Sequence, residues 1–257
     1  MDISVIITAH SEGRLAHHTM KSVLGAMDRA SGEGLSCEAL VMLDNPTPET
    51  IAYFERYKDE PRVRMEQTSF ADPGPARNRG VEQAKGEWIA LLDADDAFGS
   101  QWLARAGKAA RAKGVPVVLY PEYFVFFEDA HYVVRSNSTQ DAGFDASRLM
   151  QYNFWNSVHF MTQRSTLIDI PFLATPRDSG LGYEDWHWFS EVVARGIPVE
   201  RVSETVVFYR KKRAAASRLG FHMNESVLIP PTSLFAYPAD DAQFERRFGA
   251  RYGEERP

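Results

Sequence analysis

The amino-acid sequence predicts an α/β fold in which a mostly parallel central sheet is flanked by helices and followed by a small C-terminal extension. Strand-like and helix-like segments alternate over roughly the first 100 residues, with short turns between them. Polar clusters follow the predicted strands directly. Repeated strand–helix units with short links favour parallel strands joined by right-handed crossovers.

The first half of the chain contains the most regular pattern. The predicted strands cover residues 3–8, 38–43, 62–67 and 87–92, and the β-branched run at 3–8 is typical of a strand buried on both faces. The predicted helices cover residues 12–30, 47–57 and 75–84, the first with apolar positions at three- and four-residue steps. Thr47 suits the N-cap of the second helix, because Pro48 follows it at the first helical position.

The second half is less regular. We expect a helix at 100–113, a strand at 115–120, a hairpin of 123–127 with 131–135, a short helix at 145–151 and a strand at 158–162. An aromatic-rich helix at 182–195 ends at Gly196, and residues 199–202 and 205–209 are extended. A Pro-rich tail from residue 230 precedes a weakly amphipathic helix at 240–248. The whole is expected to be one domain with a C-terminal extension.

Composition excludes several classes of protein. The chain has 257 residues, of which 44% are hydrophobic, and a net charge of −6. Without a basic surplus, sequence-independent nucleic-acid binding is not expected, although residues 210–213 are a local basic run. Cys37 is the single cysteine, so no disulfide forms within the chain, and we expect it to be buried.

The location expected from the sequence is cytoplasmic. The N-terminus lacks the features of a signal peptide, and no stretch approaches the roughly 18 apolar residues of a membrane span. A lipid-linked substrate would have to be reached from the membrane surface. Peripheral association with the inner face of the plasma membrane therefore stays open.

The acidic sequence Asp93-Ala94-Asp95-Asp96 follows the fourth predicted strand. Carboxylates this close repel one another unless a cation or hydrogen-bond donors compensate. Mg²⁺ and Mn²⁺ prefer oxygen ligands, often carboxylates combined with substrate phosphates. The alternative is a solvated acidic turn in which Asp96 caps the next helix.

A second acidic pair, Glu184 and Asp185, stands among aromatic residues in Gly182-Tyr-Glu-Asp-Trp186. Aromatic walls exclude water and raise a carboxyl pKa, which suits a general base. The alternative is a pair of acids favoured by the dipole at the start of a helix.

A turn with phosphate-binding potential lies at residues 72–78. Gly74 permits close backbone approach to a ligand, and Arg77 could reach a phosphate or a carboxylate. The alternative is an ordinary turn with a surface arginine. Ligands of such sheets bind beyond the carboxyl ends of the strands, where residues 8–12, 44–45, 72–78 and 93–96 are expected to converge.

Together these segments resemble the inverting glycosyltransferases of family 2, which have the GT-A fold. The resemblance rests on residues 3–10, 76–80, 84–96 and 182–186. It is good over roughly residues 1–100, returns near 182–210 and is absent after about residue 220. It implies a GT-A domain at 1–215, with a nucleotide-sugar half at 1–98 and an acceptor half at 99–215, and an extension at 216–257.

The resemblance also implies roles for individual residues. Those expected to bind the nucleotide-sugar are Thr8, Ala9, His10, Glu12, Asp44, Gly74, Arg77, Asn78, Asp93, Ala94 and Arg210. Leu43 stands where the family usually has the first acid of an Asp-Asp pair, and Asn45-Pro46 replaces its usual Gly-Ser, so the base is left open.

The remaining roles concern metal, catalysis and acceptor. Asp95 is the expected metal ligand, and His222 is a candidate for a histidine missing from the run 208–217, where Arg210, Lys212 or Arg213 could steady the diphosphate. Asp185 corresponds to the catalytic base. Glu184, Trp186 and Asp96 are expected on the acceptor side.

The expected activity is metal-dependent, inverting transfer from a nucleoside-diphosphate sugar, most simply a UDP-sugar with Mg²⁺ or Mn²⁺, to a glycan or lipid-linked hydroxyl in bacterial surface polysaccharide synthesis. The alternatives are a nucleotidyltransferase acting on sugar phosphates and an inactive carbohydrate-binding protein of the same fold. Both a whole protein and a module of a larger enzyme fit the sequence. Trp155, Trp186, Trp188 and Phe189 could stack on sugars or pack in the core, and His159 is expected to be structural.

Overall fold

The computed structural model describes residues 1–114, 116–155, 157–176, 178–212 and 227–236. Its strands are β1 (Ile3–Ala9), β2 (Cys37–Asp44), β3 (Val63–Thr68), β4 (Trp88–Asp93), β5 (Ala97–Phe98), β6 (Val118–Glu128), β7 (Tyr132–Arg135), β8 (Met161–Gln163) and β9 (Val199–Lys211). Its helices are α1 (Ala16–Gly32), α2 (Pro48–Phe54), α3 (Pro73–Gln83), α4 (Trp102–Lys113), α5 (Arg164–Asp169) and α6 (Glu184–Ala194). The strands form one sheet in the order β3-β2-β1-β4-β8-β6-β9-β5, with β7 paired to β6.

The four strands of the first half are parallel neighbours, as the sequence predicts. Helices cover both faces of this half. A Cβ on Gly107 of α4 would meet Ile3, whereas a Cβ on Gly80 of α3 would meet Ile6. Residues 3 and 6 of one strand point to opposite faces, so α4 and α3 lie on opposite sides of the sheet. The fold is the expected helix-flanked α/β arrangement.

The second half extends the sheet with pairings of both directions. Strand β8 is antiparallel to β4 and to β6, while β6 and β9 run parallel over most of their length. The predicted break between 115–120 and 123–127 is wrong, since β6 is continuous with a register shift between Pro121 and Tyr123. The extended pieces 199–202 and 205–209 likewise join in β9, which passes through Glu204 at a φ of +59°. The short strand β5 was not predicted.

Several local details follow from the sequence. The side chain of Thr47 accepts a hydrogen bond from Thr50 N, which confirms it as the N-cap of α2. The helix expected from residue 12 starts later, because Gly13–Leu15 forms a 3-10 turn before α1. Cys37 is buried, as expected. The predicted helix at 240–248 lies outside the described residues.

Within the described ranges, no helix combines the length and the apolar character that crossing a bilayer requires.

Candidate active site

The carboxyl ends of β1 and β4 form the floor of the site. Thr8 pairs in register with Asp93, and its Oγ1 donates a hydrogen bond of 2.8 Å to Asp93 Oδ1. The backbone N–H of Ala94 donates to the Thr8 carbonyl at 2.9 Å, and the Ala94 carbonyl accepts from Thr19. The start of the acidic cluster is therefore held against the end of β1.

Arg77 links this floor to the start of α6. Its side chain is buried, with Nη1 2.9 Å from Glu184 Oε1 and Nη2 3.0 Å from Asp93 Oδ1. The alternative of a surface arginine is therefore wrong. Burial raises the pKa of Asp93, but the charges of Arg77 and then His159 outweigh it and lower that pKa to about 2.

Asp185 lies beside this bridge at the first turn of α6. Its side chain is half-buried. The carboxylate accepts a hydrogen bond of 2.8 Å from the backbone N–H of Trp186, and Asn153 Nδ2 lies 3.4 Å from Oδ2. Burial raises the pKa of Asp185 to about 7, and the negative charge of Glu184 adds to the effect. A carboxyl group with this pKa exchanges a proton near neutral pH, as a general base must.

Two of the three acids in the cluster, Asp95 and Asp96, are buried, which contradicts the alternative of a solvated turn. Asp95 is 8% exposed and Asp96 is 2% exposed, and α4 begins only at Trp102, so Asp96 does not cap it. Asp96 Oδ1 accepts a hydrogen bond of 2.6 Å from the backbone N–H of Arg210. Burial raises the pKa of Asp96 to about 7, although the facing His159 lowers it.

The donor set around Asp96 fits a divalent cation. One ligand atom each from Asp93, Asp96 and His159 lie within 4.8 Å of one another. His159 is fully buried, and its Nε2, 2.8 Å from Asp96 Oδ2, has no hydrogen-bond partner of good geometry among the described residues. The carboxylate oxygens suit Mg²⁺ or Mn²⁺, whereas an imidazole nitrogen is more typical of Zn²⁺, Fe²⁺, Ni²⁺ or Cu²⁺.

Asp95 points to a different partner from the other acids. Its Oδ2 lies 2.8 Å from Lys212 Nζ, and the same ammonium is 3.9 Å from Glu12 Oε1. Burial raises the pKa of Asp95 despite the lysine. The ligand expected from the sequence is thus present and buried, and its carboxylate is paired with a cation of the chain itself.

Arg210 braces the acidic turn from β9. Its Nε donates 3.0 Å to the Asp95 carbonyl, and its guanidinium forms an ion pair with Glu128 and lies over the Phe127 ring. In this arrangement the Arg210 side chain contacts protein groups at the edge of the site.

Other rim residues also make internal contacts. The Asp44 carboxylate accepts hydrogen bonds from Thr68 Oγ1, Phe70 N and Asp72 N, and so orders the loop before α3. The ring nitrogen Nδ1 of His10 lies 2.9 Å from the Asp44 carbonyl oxygen. The backbone N–H of His10 donates to Glu12 Oε2. Thr8, Ala9, His10, Glu12 and Asp44 therefore meet at one end of the sheet, as the sequence predicts.

Gly74 and Asn78 pack α3 against the segment before α6. A Cβ on Gly74 would lie 2.6 Å from the Leu173 carbonyl, so the close approach that this glycine permits is to protein backbone. The Asn78 amide exchanges hydrogen bonds of 2.8 and 2.9 Å with the backbone of Phe172. Both residues position the helix that carries Arg77.

The sequence profile of the family described as Glycosyl transferase family 2 matches residues 4–175. That stretch is more than half of the chain. The chain belongs to glycosyl transferase family 2. The match includes β1 to β4 and the acidic cluster, and it ends before α6.

Curated relatives share part of this family 2 chain. The succinoglycan biosynthesis protein ExoO of Rhizobium meliloti (strain 1021) is 30% identical over 119 residues, which are 46% of this chain and 32% of ExoO. The poly(ribitol-phosphate) beta-N-acetylglucosaminyltransferase TarS of Staphylococcus aureus (strain Mu50) is 23% identical over 139 residues, covering 48% of this chain and 24% of TarS. The matches thus span about a third or less of these relatives.

Solved structures share the GT-A fold of this family 2 chain. A crystal structure of S. aureus TarS in complex with UDP-GlcNAc aligns with a TM-score of 0.63 at 19% identity, over 83% of this chain and 59% of that one. The mannosyltransferase PcManGT from Pyrobaculum calidifontis, in complex with GDP-Man and Mn²⁺, aligns with a TM-score of 0.55 at 14% identity, over 86% and 59%. These likenesses establish the fold.

The aromatic residues of this family 2 protein divide between core and site. Trp155, Trp188 and Phe189 are fully buried, which favours the packing alternative for all three. Trp186 is half-buried next to Asp185, and its Nε1 donates 2.8 Å to the Leu149 carbonyl. His222 and Arg213 lie outside the described residues.

The contact between His159 and Asp96 was not predicted from the sequence. His159 faces Asp96, its Nδ1 lies 2.6 Å from Ser157 Oγ, and its structural role stays a prediction. The position of His159 in the chain could have indicated this contact. His159 precedes β8, β8 pairs with β4, and β4 ends at the acidic cluster.

Proposed function

We propose that this protein is an inverting glycosyltransferase that moves a sugar from a nucleoside-diphosphate sugar to a hydroxyl group of a glycan or lipid-linked acceptor. Asp185 takes a proton from the acceptor hydroxyl. The oxygen then attacks the anomeric carbon while the nucleoside diphosphate leaves from the opposite face. The configuration of the sugar is therefore inverted, through an oxocarbenium-like transition state.

The observation that carries this proposal is the position of Asp185. Its pKa of about 7 matches a general base, and it lies next to Glu184, which Arg77 ties to Asp93 at the floor of the rim. The proposed base is thus the chain neighbour of a residue that is hydrogen-bonded to the proposed donor-binding residues. Glu184, Trp186 and Asp96 are proposed to face the acceptor.

The donor is proposed to lie over the rim, with Thr8, Ala9, His10, Glu12 and Asp44 toward the nucleotide, and Gly74, Arg77, Asn78, Asp93, Ala94 and Arg210 around base, ribose and diphosphate. Asp95 is proposed to hold Mg²⁺ or Mn²⁺. Asp93, Asp96 and His159 form a separate set of possible ligand atoms that does not include Asp95. Such an ion, when bound, neutralises charge that develops on the departing diphosphate. UDP is the proposed leaving group, in keeping with the UDP-GlcNAc bound by TarS.

The biological setting is proposed from the same relatives. ExoO is named for succinoglycan biosynthesis, and TarS for transfer to poly(ribitol-phosphate). A role in bacterial surface polysaccharide synthesis, at the inner face of the plasma membrane when the acceptor is lipid-linked, fits both names. The chain is proposed to comprise a catalytic domain at 1–215 and an extension at 216–257.

A ligand panel tests this function. Thermal unfolding is measured with UDP, GDP and dTDP, each with and without Mn²⁺, because a ligand bound only by the folded state raises the midpoint by mass action. We expect UDP with Mn²⁺ to give the largest rise. Midpoints that stay flat for every nucleotide contradict the proposal.

The stereochemistry and the metal are tested with the donor that binds. Proton NMR of the product is expected to show an inverted anomeric configuration, whereas retention rules out the single displacement. Adding EDTA is expected to abolish transfer, and excess Mn²⁺ to restore it. Unchanged transfer in EDTA contradicts the metal part alone.

A further inference from the structure

Lys212 occupies the place at Asp95 where a metal ion is proposed to bind. Its Nζ lies 2.8 Å from Asp95 Oδ2 and 3.9 Å from Glu12 Oε1, and its side chain is 30% exposed. Asp95 itself is 8% exposed, so the lysine supplies positive charge to a carboxylate that has lost most of its water.

We propose that Lys212 is a built-in competitor of the divalent cation, so that the ammonium and the metal alternate at the Asp95 carboxylate. The inference rests on the proposed function, because it takes Asp95 as a metal ligand. A divalent cation bound to the Asp95 carboxylate and the Lys212 ammonium repel each other, and the two compete for the negative charge of one carboxylate. Metal binding at Asp95 therefore displaces Lys212.

The displaced lysine has a use in the same site. Lys212 follows directly after β9. Arg210, which lies within β9, braces the acidic turn through the Asp95 carbonyl. Once released from Asp95, the Lys212 ammonium is available to an anionic group that arrives with the metal, such as a diphosphate. Metal binding thus breaks the ion pair between Lys212 and Asp95 and frees an ammonium that can contact the donor.

Metal affinity in matched variants tests this inference. Mn²⁺ binding to the donor-free full chain is measured by isothermal titration calorimetry for wild type, Lys212→Gln and Lys211→Gln. Within the described part of the chain the Lys211 side chain has no ion pair, so its variant removes the same charge one residue away without freeing Asp95. We expect Lys212→Gln to bind Mn²⁺ about tenfold tighter, within the usual range of coupling between sites.

The results separate this inference from the proposed function. Tighter binding in Lys212→Gln than in Lys211→Gln supports competition, as does Mn²⁺ binding seen in Lys212→Gln alone. Equal affinity in wild type and both variants overturns the competition and leaves the metal-dependent reaction standing. Absence of Mn²⁺ binding in all three overturns the competition at Asp95, and the thermal panel with nucleotide and Mn²⁺ then decides the proposed function separately.

A second measurement uses the unaltered protein. Lysine acylation by an N-hydroxysuccinimide ester is followed by mass spectrometry with and without Mn²⁺. We expect Mn²⁺ to raise the labelling of Lys212 severalfold, because an ammonium released from Asp95 is more accessible, while Lys211 labelling stays constant. Unchanged Lys212 labelling at saturating Mn²⁺ overturns the displacement.

Discussion

Arg77 Nη1 lies 2.9 Å from Glu184 Oε1, which ties helix α3 to the residue preceding the proposed catalytic base. The second arm of the guanidinium reaches Asp93 on the floor of the site. Because Arg77 and Glu184 are both buried, Glu184 has no ready substitute for the guanidinium. The Glu184 side and the Asp93 side of the site are therefore joined by one planar guanidinium that is hydrogen-bonded to both.

Replacing Arg77 by Met should lower the free energy of unfolding by about 3–5 kcal/mol, because it leaves the buried carboxylate of Glu184 without its cation. Arg79→Met is the matched control on the same helix. Arg79 pairs with Glu66 and Glu82 at 38% side-chain exposure, and its loss should cost at most about 1 kcal/mol. Urea unfolding of both variants measures the difference, and equal losses contradict a special role for the Arg77 bridge.

Asp185→Asn should reduce kcat by roughly 10²-fold or more, the usual scale for losing a general base. The amide is isosteric, so the thermal response to UDP and Mn²⁺ should stay near that of wild type. Steady-state transfer assays and thermal unfolding provide the two measurements. Near-normal turnover in this variant rules out Asp185 as the base.

The pH dependence of transfer follows from the same carboxyl group. Burial, and then the charge of Glu184, raise the pKa of Asp185 to about 7, and the base works only when ionised. We therefore expect kcat/KM to fall about tenfold per pH unit below about pH 7. The acidic limb should disappear in the residual activity of Asp185→Asn, and an unchanged limb assigns it to another group.

Gly74→Ala should destabilise the protein by about 1–3 kcal/mol, because its Cβ would lie 2.6 Å from the Leu173 carbonyl. Gly25→Ala is the control, since Gly25 lies in α1 with nothing within 4 Å of a Cβ. That substitution should be neutral or stabilise by about 0.4–1 kcal/mol. Calorimetric unfolding distinguishes the two, and a harmless Gly74→Ala contradicts the packing role.

The sequence predicted the part of the fold that depends on local pattern. The β-branched run at residues 3–8 predicted β1, and the Thr47-Pro48 sequence predicted the start of α2. The predicted ends lie within a few residues of those observed. The convergence of Thr8 and Asp93 followed from the rule that parallel strands end at one edge. These predictions needed no knowledge of distant contacts.

The remainder depended on contacts between distant residues. Strand β5 has two residues and exists through its pairing with β9, more than 100 positions away. His159 meets Asp96 because β8 pairs with β4, and Lys212 meets Asp95 because β9 pairs with β5, which follows the acidic turn. Burial of Arg77 likewise requires α6 to supply Glu184, which no local pattern specifies.

Helix α6 and strand β9 follow one another in the chain, so the stretch from Glu184 to Lys212 carries Asp185 at one end and the two cations of the acidic turn at the other. The proposed donor side, by contrast, is assembled from several separate loops. For protein engineering, this stretch is a natural unit of exchange between relatives. A chimera that imports it whole brings the proposed base and the cations together, provided that the recipient supplies Arg77 and the edges of β6 and β5 that pair with β9.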